Sequence, residues 1–395
     1  MPQYLSPGVY VEEVPSGAAP IAGVGTSTAG FIGNVADNVK LPDQPGKFQG
    51  DTRTPVPYPL AAAGNPQLIT SWGQFKSTFG DIQEGNKFLA HAVYGFFNNG
   101  GTRCWVIRTV PATPPATDTK AVQDALSQFA AIDEIALVAV PGAQDSAIQG
   151  AVIDHCETTG DRFAILDGQH TPSALTSAAI KGGTRDSNYA ALYYPWVTVF
   201  DPVSNANLAV PPSGHLAGIY ARVDTERGVH KAPANVVIRG AVDVERRLSK
   251  ADQDGLNPDG INVIRPFDGS MTVWGARTLG GDKNGEWKYV NVRRLFLFLR
   301  ESIDKGTNWI VFEPNAPGLW AQITRNVTAF LTNVWHSGAL FGTTPQQAFY
   351  VKCDETTNPP EVRDAGMVVT EIGVAVVKPA EFVIFRISQW AGPGQ

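Results

Sequence analysis

The chain has 395 residues, 43% hydrophobic and 17% charged, with 40 Gly and 29 Pro, a composition typical of a loop-rich globular protein large enough for two or three lobes. Its formal net charge is -6 and no run of Lys or Arg is longer than a pair, so nucleic acid is not expected as a partner. The few cysteines are scattered, without disulfide or zinc-ligand spacing, which is typical of a chain that folds in a reducing cytosol.

Targeting and membrane segments are not predicted. The first residues lack the basic and apolar regions of a secretory signal, and no apolar run approaches the ~18 residues that a membrane span needs. We therefore expect no direct membrane insertion. A role outside the cell would require lysis or release within a larger particle.

The first predicted element is a strand in "SPGVYVEEV". Val9 and Val11 alternate with Tyr10 and Glu12, which is the period of a half-buried strand. Pro and Gly residues on both sides separate this strand from any local hairpin. Its partner is therefore expected elsewhere than in the neighbouring sequence.

Helices and strands alternate through the middle of the chain. After a short strand around residues 29–32, the proline-rich residues 40–59 are expected to form an exposed loop outside the central sheet. Helices are predicted at residues 86–97, 121–130, 145–157 and 211–228, and strands in "CWVIRTV", "IALVAVPG", "RFAILDG" and "YYPWVTVFDP". This alternation predicts an α/β lobe.

A second lobe is predicted to begin near "GINVIRPFDG", where two strands meet at the turn pair Asp268-Gly269. The next expected elements are a helix at residues 290–305, a strand in "NWIVFEP", a helix at residues 319–335, a strand in "AFYVKCD", and a hairpin of "MVVTEIGVAVV" with "EFVIFRISQW". The first of these helices is apolar on two sides, which leaves burial in its own lobe and a subunit contact both open. The terminal strand is apolar on both faces and needs cover on both.

Candidate catalytic groups do not assemble into a recognisable site. Asp154, His155 and Cys156 are adjacent in a predicted helix, where neighbours point about 100° apart and do not face each other as a nucleophile and its base. "GVGTSTAG" lacks the lysine and the spacing of a phosphate loop. A structural role is therefore favoured for both.

The remaining acid and histidine residues are equally generic. His215 and His230 flank a predicted helix at a spacing unlike that of metal ligands, and a solvated charged face is the favoured interpretation. Asp161, Asp167 and His170 bracket a predicted strand end but lack a second motif that would complete a site. No catalytic, cofactor-binding or metal site is predicted, and the chain is not expected to be an enzyme.

Six long phrases stand out between residues 4 and 388: "YLSPGVYVEEV", "FFNNGGTRCWVIR", "PPSGHLAGIYARVDTERGVHKAPAN", "LNPDGINVIRPFDG", "WKYVNVRRLFLFLRESIDKGTNWIVFEPN" and "VKPAEFVIFRI". Together they resemble the contractile tail sheath family, which includes the sheaths of phage tails, R-type bacteriocins and extracellular contractile injection systems. These phrases are ordered along the chain and occur in both predicted lobes.

The resemblance implies an α/β (mixed α+β) fold, as a two-lobed sheath subunit whose extended N- and C-terminal β-strand arms are exchanged between subunits. It implies an N-terminal linking arm at residues 1–24, an outer α/β domain at 25–260, an inner tube-facing domain at 261–379 and a C-terminal linking strand at 380–395. The arm strands match at Val9, Tyr10, Val11, Glu12, Phe382, Val383, Ile384, Phe385 and Ile387. Strand addition and a head-to-tail contact that does not close are physically consistent with an open helical polymer.

The resemblance also implies a function. Subunits would polymerise around an inner tube in a metastable extended state and contract to drive the tube through a target cell envelope, without nucleotide hydrolysis. Implied partners are further copies of the chain, an inner tube protein, baseplate proteins and tail terminator or cap proteins. Assembly would take place in the bacterial cytoplasm, and the mature location would be a virion tail or an extracellular contractile particle released by lysis.

An inner-domain helix contacts the tube in the family, and the best match here is the helix predicted at residues 319–335. Arg325, Asn326 and Leu319 are the candidate tube-facing residues, although simple solvent exposure explains Arg325 equally well. An α/β hydrolase-like enzyme and a secreted adhesin or binding module are the alternative functions. The missing nucleophile motif counts against the enzyme, and the missing secretion signal counts against the adhesin.

Overall fold

The computed structural model describes residues 20–110 and 118–386. The strands are β1 (Ala29–Asn34), β2 (Asp43–Gln49), β3 (Thr54–Pro57), β4 (Gln67–Ile69), β5 (Cys104–Thr109), β6 (Leu137–Ala139), β7 (Phe163–Asp167), β8 (Ala190–Tyr194), β9 (Val197–Asp201), β10 (Ala206–Val210), β11 (Val236–Val237), β12 (Ala241–Val244), β13 (Ile261–Phe267), β14 (Ser270–Val273), β15 (Phe349–Lys352) and β16 (Glu371–Val374).

The helices are α1 (Trp72–Phe79), α2 (Lys87–Asn98), α3 (Thr119–Phe129), α4 (Ser146–Thr159), α5 (Ser177–Lys181), α6 (Ser213–Arg227), α7 (Lys250–Leu256), α8 (Val290–Thr307), α9 (Pro317–His336), α10 (Pro345–Ala348) and α11 (Pro360–Asp364). Two of the predictions lie outside the described residues: the strand that contains Val9, Tyr10, Val11 and Glu12, and the arm residue Ile387.

A nine-stranded sheet forms the centre of the fold, in the order β11-β14-β13-β8-β7-β6-β1-β5-β4. The six neighbouring strands from β13 to β5 pair in parallel, and antiparallel pairs close both ends of the sheet. Such a sheet is buried on both faces, which explains why its strands are continuous apolar runs in the sequence. The predicted α/β lobe is confirmed.

Helices cover the two faces of this sheet. Phe31 and Tyr193 point into one core with α1, α2 and α6, while Ile32 and Leu192 point into the other with α3, α4 and α5. Alternate residues of one strand therefore serve opposite layers, as the pleat of a strand requires. Beside the sheet lies a three-stranded antiparallel sheet, β10-β9-β12.

A smaller C-terminal core packs α8 against α9 and the antiparallel pair β15–β16. Leu295 and Leu299 of α8 belong to this core, whereas Leu297 on the same helix belongs to the core of the large sheet. The helix is therefore buried on two sides within its own chain. Of the two readings that the sequence left open, burial within the chain is the one observed.

Three predicted elements are wrong. Residues 40–59 contain the exposed hairpin β2–β3 rather than a loop, although they do stay outside the central sheet. "NWIVFEP" is not a strand, because the chain continues from α8 into a 3-10 turn at Asn308–Ile310 and then reverses at Phe312, which has a φ of 71°. The fully exposed Phe312 ring has no neighbouring strand to pack on.

The predicted C-terminal hairpin is the third error. β16, from "MVVTEIGVAVV", pairs instead with β15, from "AFYVKCD", and the described residues 381–386 form no strand. A two-residue periodic pattern identifies a strand but not its partner, which is set by distant packing. In the described part of the chain, residues 382–385 therefore lack the sheet that their pattern requires.

The predicted boundary between residues 260 and 261 falls inside the large sheet. β13 pairs in parallel with β8, with Ile261 opposite Leu192, and β14 and β11 follow it. Ile261 and Val263 are fully buried in the core beneath. The sheet layer of the chain therefore extends through β14.

Candidate assembly site

The N-terminal linker, residues 20–28, lies along α8. Ile21 is 8% exposed and packs so closely on Gly306 that a Cβ atom added to this glycine would lie 2.7 Å from the Ile21 side chain. The backbone N–H of Val24 donates to the hydroxyl of Ser302 at 3.1 Å. The small residues Ser302 and Gly306 of α8 thus form the surface on which the linker packs.

A buried ion pair fixes the same linker. Arg294 of α8 donates to both carboxylate oxygens of Asp224 on α6, at 2.9 and 2.6 Å, and to the carbonyl of Thr26 at 2.9 Å. The Thr26 hydroxyl donates to Asp224 at 2.6 Å. Burial alone would lower the pKa of Arg294, but the charge and hydrogen bonds of Asp224 outweigh burial and raise it, so the guanidinium stays charged. Two helices and the linker therefore meet at one point.

The C-terminal segment is held by a single carboxylate. Glu381 accepts hydrogen bonds from Arg277 Nε and Nη2, both at 2.8 Å, from Asn257 Nδ2 at 2.8 Å and from Tyr289 Oη at 2.9 Å. Partial burial would raise the pKa of Glu381, but these donors outweigh it and lower the pKa below its usual value. The side chain is therefore a carboxylate at neutral pH.

The residues directly after Glu381 are apolar and uncovered. Phe382, Val383, Ile384 and Phe385 are 70%, 69%, 78% and 83% exposed. A run of exposed apolar side chains is unfavourable in water and marks a surface that another molecule covers. This run contains four of the predicted arm residues.

The pair β15–β16 offers an incomplete sheet near these elements. In the described residues, neither strand pairs with a further named strand beyond its partner, so the two-stranded ladder leaves edge groups unpaired. Tyr350 of β15 is 59% exposed, and Phe341 beside the pair is 72% exposed. An isolated two-stranded sheet is marginally stable, and its open edges are sites for strand addition.

The three candidate tube-facing residues have different environments on α9. Arg325 is exposed. Leu319 is 7% exposed in the C-terminal core, and Asn326 is 4% exposed. The residues exposed at one-turn spacing along the open side of α9 are Ala321, Arg325, Ala329 and Asn333. Of the predicted three, Arg325 alone reaches this open side.

The reactive-looking helix residues do not meet. Asp154 binds Arg185 at the surface, His155 lies beside Arg162, and Cys156 is fully buried with its thiol pKa raised by burial. Burial and the charge of Arg162 lower the pKa of His155 to about 4. The three side chains therefore act separately, and the structural interpretation is supported.

Asp167 organises the start of α6. Its carboxylate accepts the Ser213 hydroxyl and N–H, both at 2.8 Å, and the N–H of Gly142 at 3.0 Å. Burial raises the pKa of Asp167 to about 6 despite these donors. Asp167 is 2% exposed and Ser213 is 0% exposed, so this pair is closed to any substrate and works as a helix cap.

The prediction of a solvated charged face on α6 is wrong. His215 is 3% exposed against Gly95 of α2, and Asp224 is buried with Arg294. The helix is buried along most of its length because α2 covers one side and the sheet covers the other. His215 and Asp224 therefore make internal contacts, whereas Glu226 at the end of the helix is exposed.

Metal-ligand clusters and membrane-spanning helices are two further features to consider in residues 20–110 and 118–386. These residues contain no cluster of His, Cys, Asp and Glu arranged to hold a metal ion. None of their helices combines the length and the apolar character needed to cross a bilayer.

Sequence reasoning missed the pairs Arg277–Glu381 and Asp224–Arg294. The partners lie 104 and 70 residues apart along the chain, so no local pattern joins them. The one available signal was a carboxylate placed directly before the apolar run "FVIF", where a charge is out of keeping with a buried strand.

Comparison with known proteins identifies the family. The model described as "Phage tail sheath protein central domain" matches residues 116–279, and "Phage tail sheath C-terminal domain" matches residues 282–389. The tail sheath protein of Burkholderia phage BcepMu is 27% identical over 295 residues, which are 71% of this chain and 60% of that protein.

Solved structures match over nearly the whole chain. The helical sheath of the anti-feeding prophage in its contracted state is 31% identical with a TM-score of 0.75, covering 98% of this chain and 99% of the other. The sheath of the extracellular contractile injection system PVC, also contracted, is 29% identical with a TM-score of 0.77, covering 99% of each chain. The chain therefore belongs to the contractile tail sheath family, and it is a structural subunit of a contractile sheath rather than an enzyme.

Proposed function

We propose that this subunit polymerises helically around an inner tube in a metastable extended state, and that contraction of the polymer drives the tube through a target cell envelope. Energy for the stroke is stored at assembly in interfaces that improve on contraction, so no nucleotide is consumed. The C-terminal strand and the N-terminal strand of each subunit complete the β15–β16 sheet of neighbouring subunits.

The observation that carries this proposal is that one subunit has both an uncovered apolar segment and a sheet with open edges. Residues 382–385 are exposed and apolar on both faces, and β15–β16 has open edges flanked by exposed Tyr350 and Phe341. Strand addition would satisfy the unpaired backbone groups at the edges and cover the apolar side chains at the same time. A donor and an acceptor at different places on one subunit make a head-to-tail contact, which propagates into a helix.

Contact with the tube is assigned to the open side of α9. Arg325 is the charged residue of that exposed line, between Ala321 and Ala329. Small side chains let a partner backbone approach closely, and one cation gives the contact a preference for an acidic partner. Leu319 and Asn326 would support the helix from beneath, because both are packed inside the chain.

The proposed division assigns residues 1–24 to an N-terminal linking arm and residues 380–395 to a C-terminal linking strand. We propose that the outer domain begins at residue 25 and includes β13 and β14, which belong to the large sheet, so that the inner domain begins near residue 280 instead of residue 261. The inner, tube-facing domain then comprises α8, α9 and the β15–β16 pair.

Further partners and location follow from the family. A solved baseplate of the anti-feeding prophage matches this chain at 30% identity and a TM-score of 0.73. By analogy, the proposed partners are an inner tube protein, a baseplate and a tail terminator or cap. Assembly in the bacterial cytoplasm, followed by release in a tail or extracellular particle on lysis, completes the proposal.

The test removes each arm from the full chain. Deleting residues 1–14, or deleting residues 382–395 while keeping Glu381, should leave the circular dichroism spectrum and thermal unfolding of the subunit intact. Both deletions should abolish tubes in negative-stain electron microscopy. A milder version replaces Phe382 and Ile384 with Lys, and the matched control is Phe48→Lys on the exposed β2–β3 hairpin, which should assemble normally.

Two results would contradict the exchange. Normal sheaths from either deletion would show that the arm is dispensable. Loss of subunit folding would show that the arm completes its own chain.

A further inference from the structure

We propose that Glu381 and the pocket around Arg277 form a clamp that sets where the C-terminal arm leaves the subunit, and that closure of this clamp is needed for efficient exchange of the arm. The clamp rests on the proposed function, because it matters to assembly only if residues after 381 pair with a neighbour. Glu381 itself remains in its own subunit.

Contacts other than those to Glu381 hold Arg277 in place. Arg277 is 3% exposed, and its Nη1 donates to the Asn257 carbonyl at 3.0 Å and to Asp282 at 3.1 Å. The backbone N–H of Arg277 donates to the side chain of Asn262 at 2.7 Å. The remaining guanidinium nitrogens, Nε and Nη2, form a fork aimed at Glu381. A planar fork fixed in this way selects a carboxylate in one orientation.

The donors to Glu381 come from three separate elements. Asn257 follows α7, Arg277 follows β14, and Tyr289 precedes α8. Asn257 and Arg277 belong to the side of the large sheet, whereas Tyr289 leads into the helix that carries the N-terminal linker. The carboxylate therefore ties the C-terminal segment to the joint between the sheet layer and the smaller core.

The rest of the segment has little else to hold it. Val377 donates its N–H to Ala339 and accepts from Asn291. Between residues 378 and 386, the hydrogen bonds found to the rest of the chain are those of the Glu381 side chain. The next residues, 382–385, are exposed. One side chain thus separates an anchored segment from a free arm.

The position of the clamp changes the tether of the arm. With Glu381 bound, the tether of the arm starts at residue 382. With Glu381 released, the tether starts near residue 378 and samples a larger volume. A longer, looser tether lowers the local concentration of the strand at its acceptor edge, and four more residues must be ordered when the strand pairs.

The clamp is an electrostatic contact that withstands mild acid. The donors around Glu381 hold its pKa below the usual value, so the carboxylate and the Arg277 fork stay paired over the range in which exposed carboxylates begin to protonate. Substitution, rather than pH, is therefore the suitable probe.

The experiment compares Glu381→Gln with the matched control Glu84→Gln, since Glu84 is an exposed carboxylate in the turn before α2, outside the arm and the β15–β16 pair. Both are made in the full chain. The first readout is the mobility of a spin label attached to Ala380→Cys, measured by electron paramagnetic resonance in subunits kept below the assembly threshold, since Cys104, Cys156 and Cys353 are buried. The second readout is the critical concentration for sheath formation, measured by sedimentation and electron microscopy.

Release of the clamp predicts a specific pattern. In Glu381→Gln, the label at residue 380 should reorient at least tenfold faster while the circular dichroism spectrum stays unchanged, and the critical concentration should rise about tenfold. Glu84→Gln should match the parent in both readouts. Tyr289→Phe, which removes one of the four hydrogen bonds, should give a smaller change of the same sign and serves if Glu381→Gln folds poorly.

The outcomes separate the clamp from strand exchange. If the chain lacking residues 382–395 still forms sheaths, strand exchange itself is wrong, and the clamp falls with it. If that deletion blocks assembly but Glu381→Gln assembles at the parent concentration, exchange stands and the clamp is overturned. Unchanged mobility of the label at residue 380 in Glu381→Gln would overturn the clamp directly.

Discussion

His215 shows how a polar residue can be committed to the interior of this fold. The imidazole is 3% exposed at the contact between α6 and α2, and a Cβ atom on Gly95 would lie 2.6 Å from its ring. Burial, with a smaller effect of nearby His91, lowers the pKa of His215 to about 4. The ring is therefore neutral in the folded subunit at any pH at which sheaths would be handled.

We predict that His215 makes the subunit less stable in acid. Its folded pKa of about 4 lies below the usual 6.5, so on acidification the unfolded chain takes up this proton first. The stability is fully present above pH 6.5 and is lost as the pH falls toward 4, by about 2–3 kcal/mol at pH 4.5. Urea unfolding of the parent and of His215→Asn at pH 7 and pH 4.5 should show a smaller acid loss in the variant.

The control must allow for Asp167, which acts in the opposite direction. Its folded pKa is raised to about 6, so the folded subunit takes up that proton first and gains stability as the pH falls below 6. Comparing variants at each pH cancels this contribution, because Asp167 is present in all of them. His336→Asn, at an exposed position at the end of α9, should behave like the parent. An equal acid loss in His215→Asn and the parent would contradict the assignment.

Sequence could supply part of this picture at the level of single residues. The absence of a catalytic constellation was predictable, because each candidate lacked a second group at a workable spacing. The buried state of His215 and Asp224 was not predictable, because their partners lie on α2 and α8, far away in sequence. Charge in a sequence indicates a solvated face by default, and only tertiary packing overrides that default.

The helix pair α2–α6 depends on two glycines that let the helices approach closely. A Cβ atom on Gly214 would lie 2.3 Å from the Ala92 Cα, and one on Gly218 would lie 2.4 Å from the Phe96 carbonyl oxygen. Both clashes involve backbone, which cannot move aside as a flexible side chain can. The two helices therefore require glycine at these positions in order to cover the large sheet together.

We predict opposite effects for two Gly→Ala substitutions within helices. Gly218→Ala should lower the free energy of unfolding by about 1–3 kcal/mol, because overpacking pushes α6 away from α2. Gly150→Ala, in α4, meets nothing within 4 Å and should raise it by up to about 1 kcal/mol, because alanine favours the helix. Thermal or urea unfolding of both variants measures the difference. A stabilising Gly218→Ala would show that the helices are less closely packed than described.

Among the elements, type was more predictable than partner. Apolar runs such as β6 and β7 were found correctly, because a strand buried on both faces has a strong signature. The run "YYPWVTVFDP", predicted as one strand, contains the end of β8 and the whole of β9. The runs around Phe312 and Phe382 have similar composition but are not strands in the described chain. Apolar side chains in both of these runs are exposed in the subunit. A sequence pattern predicts that such side chains are buried, but it does not distinguish burial within the same chain from burial against another molecule.

At the scale of the whole subunit, the N-terminal linker and the C-terminal segment are both fixed where the large sheet layer meets the smaller C-terminal core. Arg294 ties the N-terminal linker to α6 and α8, and Arg277 ties the C-terminal segment beside Tyr289 at the start of α8. The N-terminal linker and the C-terminal segment are therefore both held at α8 or at the residue before it, although they come from opposite ends of the chain. The predicted boundary between residues 260 and 261 lies within the large sheet, because β13 rejoins a sheet begun far earlier in the sequence.

The proposed strand exchange predicts a dose effect in the polymer. Under that proposal, a subunit that lacks residues 382–395 keeps its acceptor pair β15–β16 and its N-terminal arm, so it should enter a growing sheath but leave one neighbouring sheet unfilled. When the truncated subunit is mixed with full-length subunits at about one in ten before assembly, it should shorten the sheaths in proportion to its dose. Each defect removes the main-chain hydrogen bonds and the apolar cover of one exchanged strand.

Length distributions from electron microscopy, with incorporation measured by a label on the truncated subunit, provide the test. Full-length Phe48→Lys subunits at the same dose should leave the length unchanged, because Phe48 lies on the β2–β3 hairpin, away from the arms. Truncated subunits that incorporate without shortening the sheaths would show that adjacent subunits are held together by other contacts, and that the exposed apolar arm has a different partner.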